Sequence, residues 1–166
     1  MKIFIFGPPG AGKSTIALEM GRRTGLPVYH LDHFFFKAPN IHVSSAEAMA
    51  ELETSLPDGD WIMEGNHGDA LDFLIKRADH VIILEIPPLL CTYRIIKRYL
   101  QQNPELKQAV SEGWEETLSW QFIWFTLRIF PRNLPRQLEQ IKMTATGQIH
   151  FIKNSRQLDD EIFWKQ

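Results

Sequence analysis

Apolar residues follow two rhythms along this chain. Short continuous runs, bounded by glycine, proline or charge, occur at Lys2–Phe6 (KIFIF), Pro27–Leu31 (PVYHL), Asp60–Gly65 (DWIMEG) and His80–Ile86 (HVIILEI). Runs this short and this continuous predict strands covered on both faces of a parallel sheet. Between them the apolar positions spread to helical spacing. The stretch from Gly12 to Gly25 carries Ile16, Ala17 and Met20 on one face and stops at a glycine, and Ser44–Leu56 opens with Ser44 and Ser45, with Glu47 placed for a capping box. After Pro87 and Pro88 the spacing predicts a helix from about Leu89 to Gln101, a mobile helical insert at 103–116, and an aromatic-rich helix from Glu115 to Phe130 that Pro131 interrupts or ends. A helix near Asn133–Met143, a fifth strand at Gln148–Ile152 and a short helix from Ser155, capped by Asn154 or Ser155, complete the pattern.

Strands alternating with helices imply right-handed crossover units and a sheet with helices on both faces. The 166 residues suit one α/β domain, 1–166, with no repeat or linker. Within it, about 33–58 form an acceptor-side segment and about 102–130 a lid-like insert.

Composition narrows the possibilities. A single cysteine, Cys91, excludes an intramolecular disulfide and a Cys-rich zinc site, which suits a reducing, cytoplasmic location. The first apolar stretch is too short for a signal segment, and no run reaches membrane-spanning length. Net charge is −2, unevenly distributed: residues 1–93 carry 7 Lys and Arg against 12 Asp and Glu, whereas residues 94–142 carry 8 against 5. That local excess suits a polyphosphate, and with a pI of about 6.3 it does not predict DNA binding.

The most specific signal follows the first strand. In GPPGAGKST, the residues Gly7, Gly12, Lys13 and Ser14 meet every position of G-x-x-x-x-G-K-[ST] between a strand and a helix. Glycines let backbone N–H groups wrap an anion at a helix N-terminus, where unpaired amides and the helix dipole favour negative charge. Lys13 is expected to reach the β- and γ-phosphates of ATP, and Ser14 to ligate Mg²⁺. The candidate nucleotide cradle is Gly7, Pro8, Pro9, Gly10, Ala11, Gly12, Lys13, Ser14 and Thr15.

GPPGAGKST followed by LPVYHLD resembles the adenylate kinase-like small kinases. Together, VYHLDHFFF, WIMEGN and RADHVIILEIPPLLCTYRIIKR resemble the bacterial DNA topology modulation proteins of that superfamily. The resemblance implies a three-layer P-loop fold with a five-stranded parallel sheet of order 2-3-1-4-5 and nucleotide at the carboxyl edge of the strands. It also implies that Arg94 lies on the adenine side and Arg98 on the phosphate side. These two, four apart, share a helix face; a solvated face is the alternative. The adenine is expected against Arg94 and the loop Lys153–Arg156.

Arg128 is the candidate to close over the transferring phosphoryl group, with Arg132 and Arg136 either beside it or in surface ion pairs. Trp120 and Trp124, also four apart, are expected in core packing or a dimer face; the chain is a monomer or a homodimer.

On the acceptor side, Asp32 and Glu64 end the second and third strands. Asp32 is a candidate to accept a proton from a substrate hydroxyl and Glu64 to hold a water on Mg²⁺, the alternatives being a helix cap or charge balance. No arginine occurs from Thr24 to Lys76, where the related nucleoside monophosphate kinases carry their acceptor clamp, so a monophosphate acceptor is not expected unless Arg128 or Arg132 supplies the clamp from the lid. Asn66 and His67 suit a hydroxyl-bearing acceptor better than a dianion. His30, Asp32 and His33 lack the i, i+4 spacing of a zinc protease helix. HFFFKAP is either an apolar wall over the acceptor or a hydrophobic anchor.

The expected activity is therefore ATP- and Mg²⁺-dependent phosphoryl transfer to a small acceptor (nucleoside, nucleotide or other small molecule), with Lys13, Asp32, Arg98 and Arg128 as catalytic residues. The alternatives are a nucleotide-hydrolysing regulator of DNA topology and an NTP-binding module without acceptor chemistry.

Overall fold

The computed structural model describes residues 1–38, 41–101 and 120–153. The expected insert at 103–116, the C-terminal helix and most of the Lys153–Arg156 loop lie outside the described residues. Five strands make a parallel sheet: β1 (Lys2–Phe6), β2 (Val28–His30), β5 (Trp61–Glu64), β6 (His80–Leu84) and β7 (Gln148–Ile152), in the order β2-β5-β1-β6-β7. In chain numbering this differs from the expected 2-3-1-4-5, because an unpredicted pair, β3 (Phe36–Ala38) and β4 (Ile41–His42), stands between the second and third sheet strands.

Alternation along the strands divides the core in two. Phe4, Phe6, Trp61, Met63, Val81 and Ile83 face one side with Leu31, Phe34 and Phe35. Here they meet α3 (Ser45–Ser55) through Ala48 and Leu52, α4 (Gly68–Arg77) through Leu71 and Leu74, and α7 (Phe130–Thr144) through Phe130 and Ile141. Ile3, Ile5, Ile62, Ile82, Leu84 and Ile152 face the other side, covered by α1 (Lys13–Thr24) through Ile16, Ala17 and Met20 and by α5 (Pro88–Gln101) through Cys91. Each fully buried aliphatic side chain contributes about 1.5–3 kcal/mol, so the helices are held chiefly by these two faces.

Local rules explain most boundaries. Gly25 ends α1 in a left-handed conformation, its N–H bonded to Gly21 O. Ser44 accepts from Glu47 N while the Glu47 carboxylate accepts from Ser44 N, completing the expected capping box.

Three expectations are corrected. Asp32 opens a one-turn helix, α2 (Asp32–Phe35), rather than ending β2, and Phe34 and Phe35 are core residues that anchor this segment. Pro131 does not break its helix: α6 (Trp120–Trp124) widens into a π turn over Phe125–Ile129 and continues as α7 with Pro131 in its first turn. A proline cannot donate to the carbonyl four residues back, and the wider turn accommodates that loss. Finally, Trp120 and Trp124 are 84% and 59% exposed, so of the two expectations for them core packing is overturned and the dimer face is not; Ile123, Thr126 and Phe130 take the buried positions of that helix.

Candidate functional site

The carboxyl ends of β2, β5 and β1 lie level, since His30 and Ile5 both pair in register with Glu64. Four described segments leave this edge: the P-loop after β1, Asp32 after β2, Gly65-Asn66-His67 after β5 and the Pro87-Pro88 turn into α5 after β6.

The P-loop is compact. Ala11 N–H donates to Pro8 O at 3.2 Å, Ile16 N–H to Gly12 O at 3.0 Å, and the Lys13 ammonium to Gly7 O and Pro8 O at 3.1 Å each. Gly12 offers no side-chain cap, so the first amides of α1 have no side-chain acceptor there. Gly10 has φ +74°, and a Cβ on it would come within 2.5 Å of Cys91 O, so α5 can lie directly against the loop only because this residue is glycine. The same closeness brings Arg94 to the loop, its Nη1 donating to Ala11 O at 3.1 Å. Arg98 follows one turn along α5, half-buried. Burial raises the Cys91 thiol above its usual range, partly offset by the positive charges of Arg94 and Lys13.

Ser14 Oγ donates to Glu64 Oε1 at 2.9 Å, joining the P-loop to the end of β5. The same carboxylate oxygen lies 2.7 Å from His30 Nδ1, and the two side chains of that pair are only 12% and 9% exposed. Because a carboxylate only accepts, this bond makes Nδ1 the protonated nitrogen of His30. Sequence reasoning weighed His30 only for a metal. Its partner is 34 residues away, and only the strand register makes them neighbours.

Across the cleft, His67 Nε2 stands 3.4 Å from Asp32 Oδ1. The His67 ring stacks on Phe35 with centroids 4.1 Å apart and planes at 6°, and Phe36 meets it edge-on at 5.5 Å. Partial burial pulls the Asp32 carboxyl upward, but the His67 hydrogen bond and the positive charges of Lys13, His67 and His33 outweigh it, so the net shift is below the ordinary 3.8. Gly65 lets this wall close up, since a Cβ there would stand 2.4 Å from Leu31 Cβ. Asn66 is half-buried between Gly65 and His67.

The structure thus brings Lys13, Ser14, Glu64, Asp32, His67 and Arg94 to one edge of the sheet. Arg128 is placed differently: it is exposed on the π turn, its guanidinium 5.7 Å from the centre of the Trp124 ring. Among the described residues no group of three or more His, Cys, Asp or Glu side chains is arranged to hold a metal ion, and no helix is long and apolar enough to cross a membrane.

Neither a protein-family model nor a curated protein matches the chain. Solved structures match over nearly its whole length. A shikimate kinase from Bacteroides thetaiotaomicron superposes at a TM-score of 0.55 with 17% identity, covering 96% of this chain and 92% of the other. A sugar kinase from Janibacter sp. HTCC2649 gives 0.52 and 18%, covering 96% and 90%. The chain has the P-loop kinase fold; at these identities the likeness concerns the fold alone.

Proposed function

We propose that the protein is an ATP-dependent phosphotransferase whose acceptor is a small molecule bearing a free hydroxyl. The observation that carries this reading is one edge of the sheet that holds the P-loop lysine and the Ser14–Glu64 pair together with the Asp32 carboxylate, kept below its ordinary pKa, and its neighbour His67.

Ser14 Oγ and Glu64 are hard oxygen donors 2.9 Å apart, which fits Mg²⁺, with Ser14 as direct ligand and Glu64 acting through a water. When bound, Mg-ATP supplies the phosphoryl group, with the cation neutralising its charge. The chain's own residues do the rest. The P-loop amides and Lys13 bind the phosphates, and Arg94 and Arg98 flank them from α5. Asp32 orients the acceptor hydroxyl and takes its proton, while Asn66 and His67 bind the acceptor beside it. A phosphorylated acceptor fits poorly. No arginine lies between Thr24 and Lys76, and Lys37, the one lysine before Lys76 in that stretch, is exposed.

The test is ATP consumption and product formation against a panel of nucleosides, nucleotides and small polyols, with Lys13→Ala as control. A hydroxyl acceptor should raise turnover well above the acceptor-free rate, and Lys13→Ala should cut it by about 100-fold or more, the scale of removing one preorganised charge donor. Slow hydrolysis indifferent to every acceptor would overturn the reading in favour of a nucleotide switch. Turnover intact in Lys13→Ala would remove the site itself.

A further inference from the structure

One half-buried titratable side chain at this edge has no part in the chemistry above: His30. It is the last residue of β2 and stands in register with Glu64 on the neighbouring strand. Its Nδ1–H donates to Glu64 Oε1 at 2.7 Å, and that oxygen also accepts from Ser14 Oγ at 2.9 Å. Two donors on one oxygen pin the carboxylate. Oε2 carries no bond to protein among the described residues, and the Ser14 hydroxyl, its O–H directed at Glu64, keeps its lone pairs for another partner. A serine oxygen stripped of its proton direction and a fixed carboxylate are what a small, hard divalent cation requires, since it tolerates little departure from its preferred geometry. The ring of His30 is itself held, with His33 packed at 5.2 Å.

We propose that His30 is a positioning residue for the metal side of the site: through Glu64 it holds the Ser14 hydroxyl in the arrangement that receives Mg²⁺ together with the nucleotide phosphates. This rests on the kinase reading of the cleft. The physical basis is the general behaviour of metal sites, in which groups hydrogen-bonded to the ligating residues fix their orientation and contribute roughly 10- to 100-fold to metal affinity. A merely structural role, satisfying a buried carboxylate, predicts a loss of stability and no specific change in metal dependence.

The experiment is a titration of the full chain with a fluorescent ATP analogue, in excess Mg²⁺ and in EDTA, for the wild type, His30→Ala and His30→Asn. The asparagine amide N–H₂ occupies the place of Nδ1–H. Expected is a wild-type affinity raised by Mg²⁺, a His30→Ala protein that loses about 10- to 100-fold of that gain while its EDTA affinity stays within about twofold, and recovery of most of the gain in His30→Asn. If His30→Ala leaves an unpaired carboxylate and does not fold, Glu64→Gln supplies the second measurement. On that background the alanine substitution should cost no further Mg²⁺-dependent affinity, because the two residues act as one unit. A folded His30→Ala with the full Mg²⁺ gain, His30→Asn as impaired as His30→Ala, or additive losses on Glu64→Gln each overturn the proposal. A wild type that binds the analogue equally with and without Mg²⁺ overturns it while leaving nucleotide binding standing. A wild type that binds no nucleotide in either condition overturns the kinase reading, and this proposal falls with it.

Discussion

Asp32 keeps 62% of its side chain exposed, yet its carboxyl sits below the ordinary aspartate value because His67, Lys13 and His33 surround it with donors and positive charge. On the proposed reading, an acid held ionised in this way receives a proton from an acceptor hydroxyl only as that hydroxyl is consumed, which would tie its proton transfer to the phosphoryl step. Asp32→Asn should therefore lower kcat by about 10²- to 10⁴-fold with nucleotide affinity nearly unchanged, as separate turnover and binding measurements will show. The sign of the pH effect follows from the same contacts. The charge of Asp32 is lost as pH falls through its depressed pKa, and His67→Phe, which keeps a ring against Phe35 and removes the donor, raises that pKa. The acid limb of the rate profile should then move to higher pH. Unmoved limbs in the two proteins would take Asp32 out of the chemistry.

At the scale of elements, α3, which packs against α2, starts from a closed capping box, and Ser44→Ala should destabilise the fold by about 1 kcal/mol, measured by denaturant melts at equal slope. That cap was legible in the sequence because it is written in four consecutive residues, Ser44 to Glu47. So were β1, β5 and β6, where burial on both faces leaves an unbroken apolar run, and the P-loop, whose glycines and lysine answer to local geometry. Other features depend on partners far along the chain. The β3–β4 pair consists of two very short strands with no alternation to announce them. The π turn at Phe125–Ile129 arises from how α6 and α7 share one axis around Pro131, and Trp120 and Trp124 mimic a core stripe while the buried face belongs to Ile123 and Thr126. His30 was invisible for the same reason: what it does is set by a strand register, and a one-residue slip would turn it to the opposite face.

The whole molecule has two chemically different edges. The carboxyl edge gathers the P-loop, Asp32, Glu64 and His67. The opposite edge is tied by ionic contacts, with the N-terminal ammonium paired to Asp60 and Lys2 N–H donating to Asp79 at 2.7 Å. Beside these contacts, on neighbouring strands, His80 Nδ1 and His150 Nε2 stand 3.3 Å apart, close enough for one N–H···N bond between the two rings. Burial lowers the His80 pKa below its ordinary 6.5, His150 and the N-terminal charge lower it further, and Asp79 opposes them only in part. A histidine whose folded pKa is depressed binds fewer protons folded than unfolded. Its contribution to stability is therefore complete above about 6.5 and is lost as pH falls below that value toward the folded pKa. The wild type should melt at lower temperature at pH 5 than at pH 7, with the β6–β7 pairing weakened. His80→Asn has no titrating ring and should lose less melting temperature across the same interval. If both proteins lose the same amount, the acid sensitivity of the fold resides elsewhere and the histidine pair is electrostatically silent.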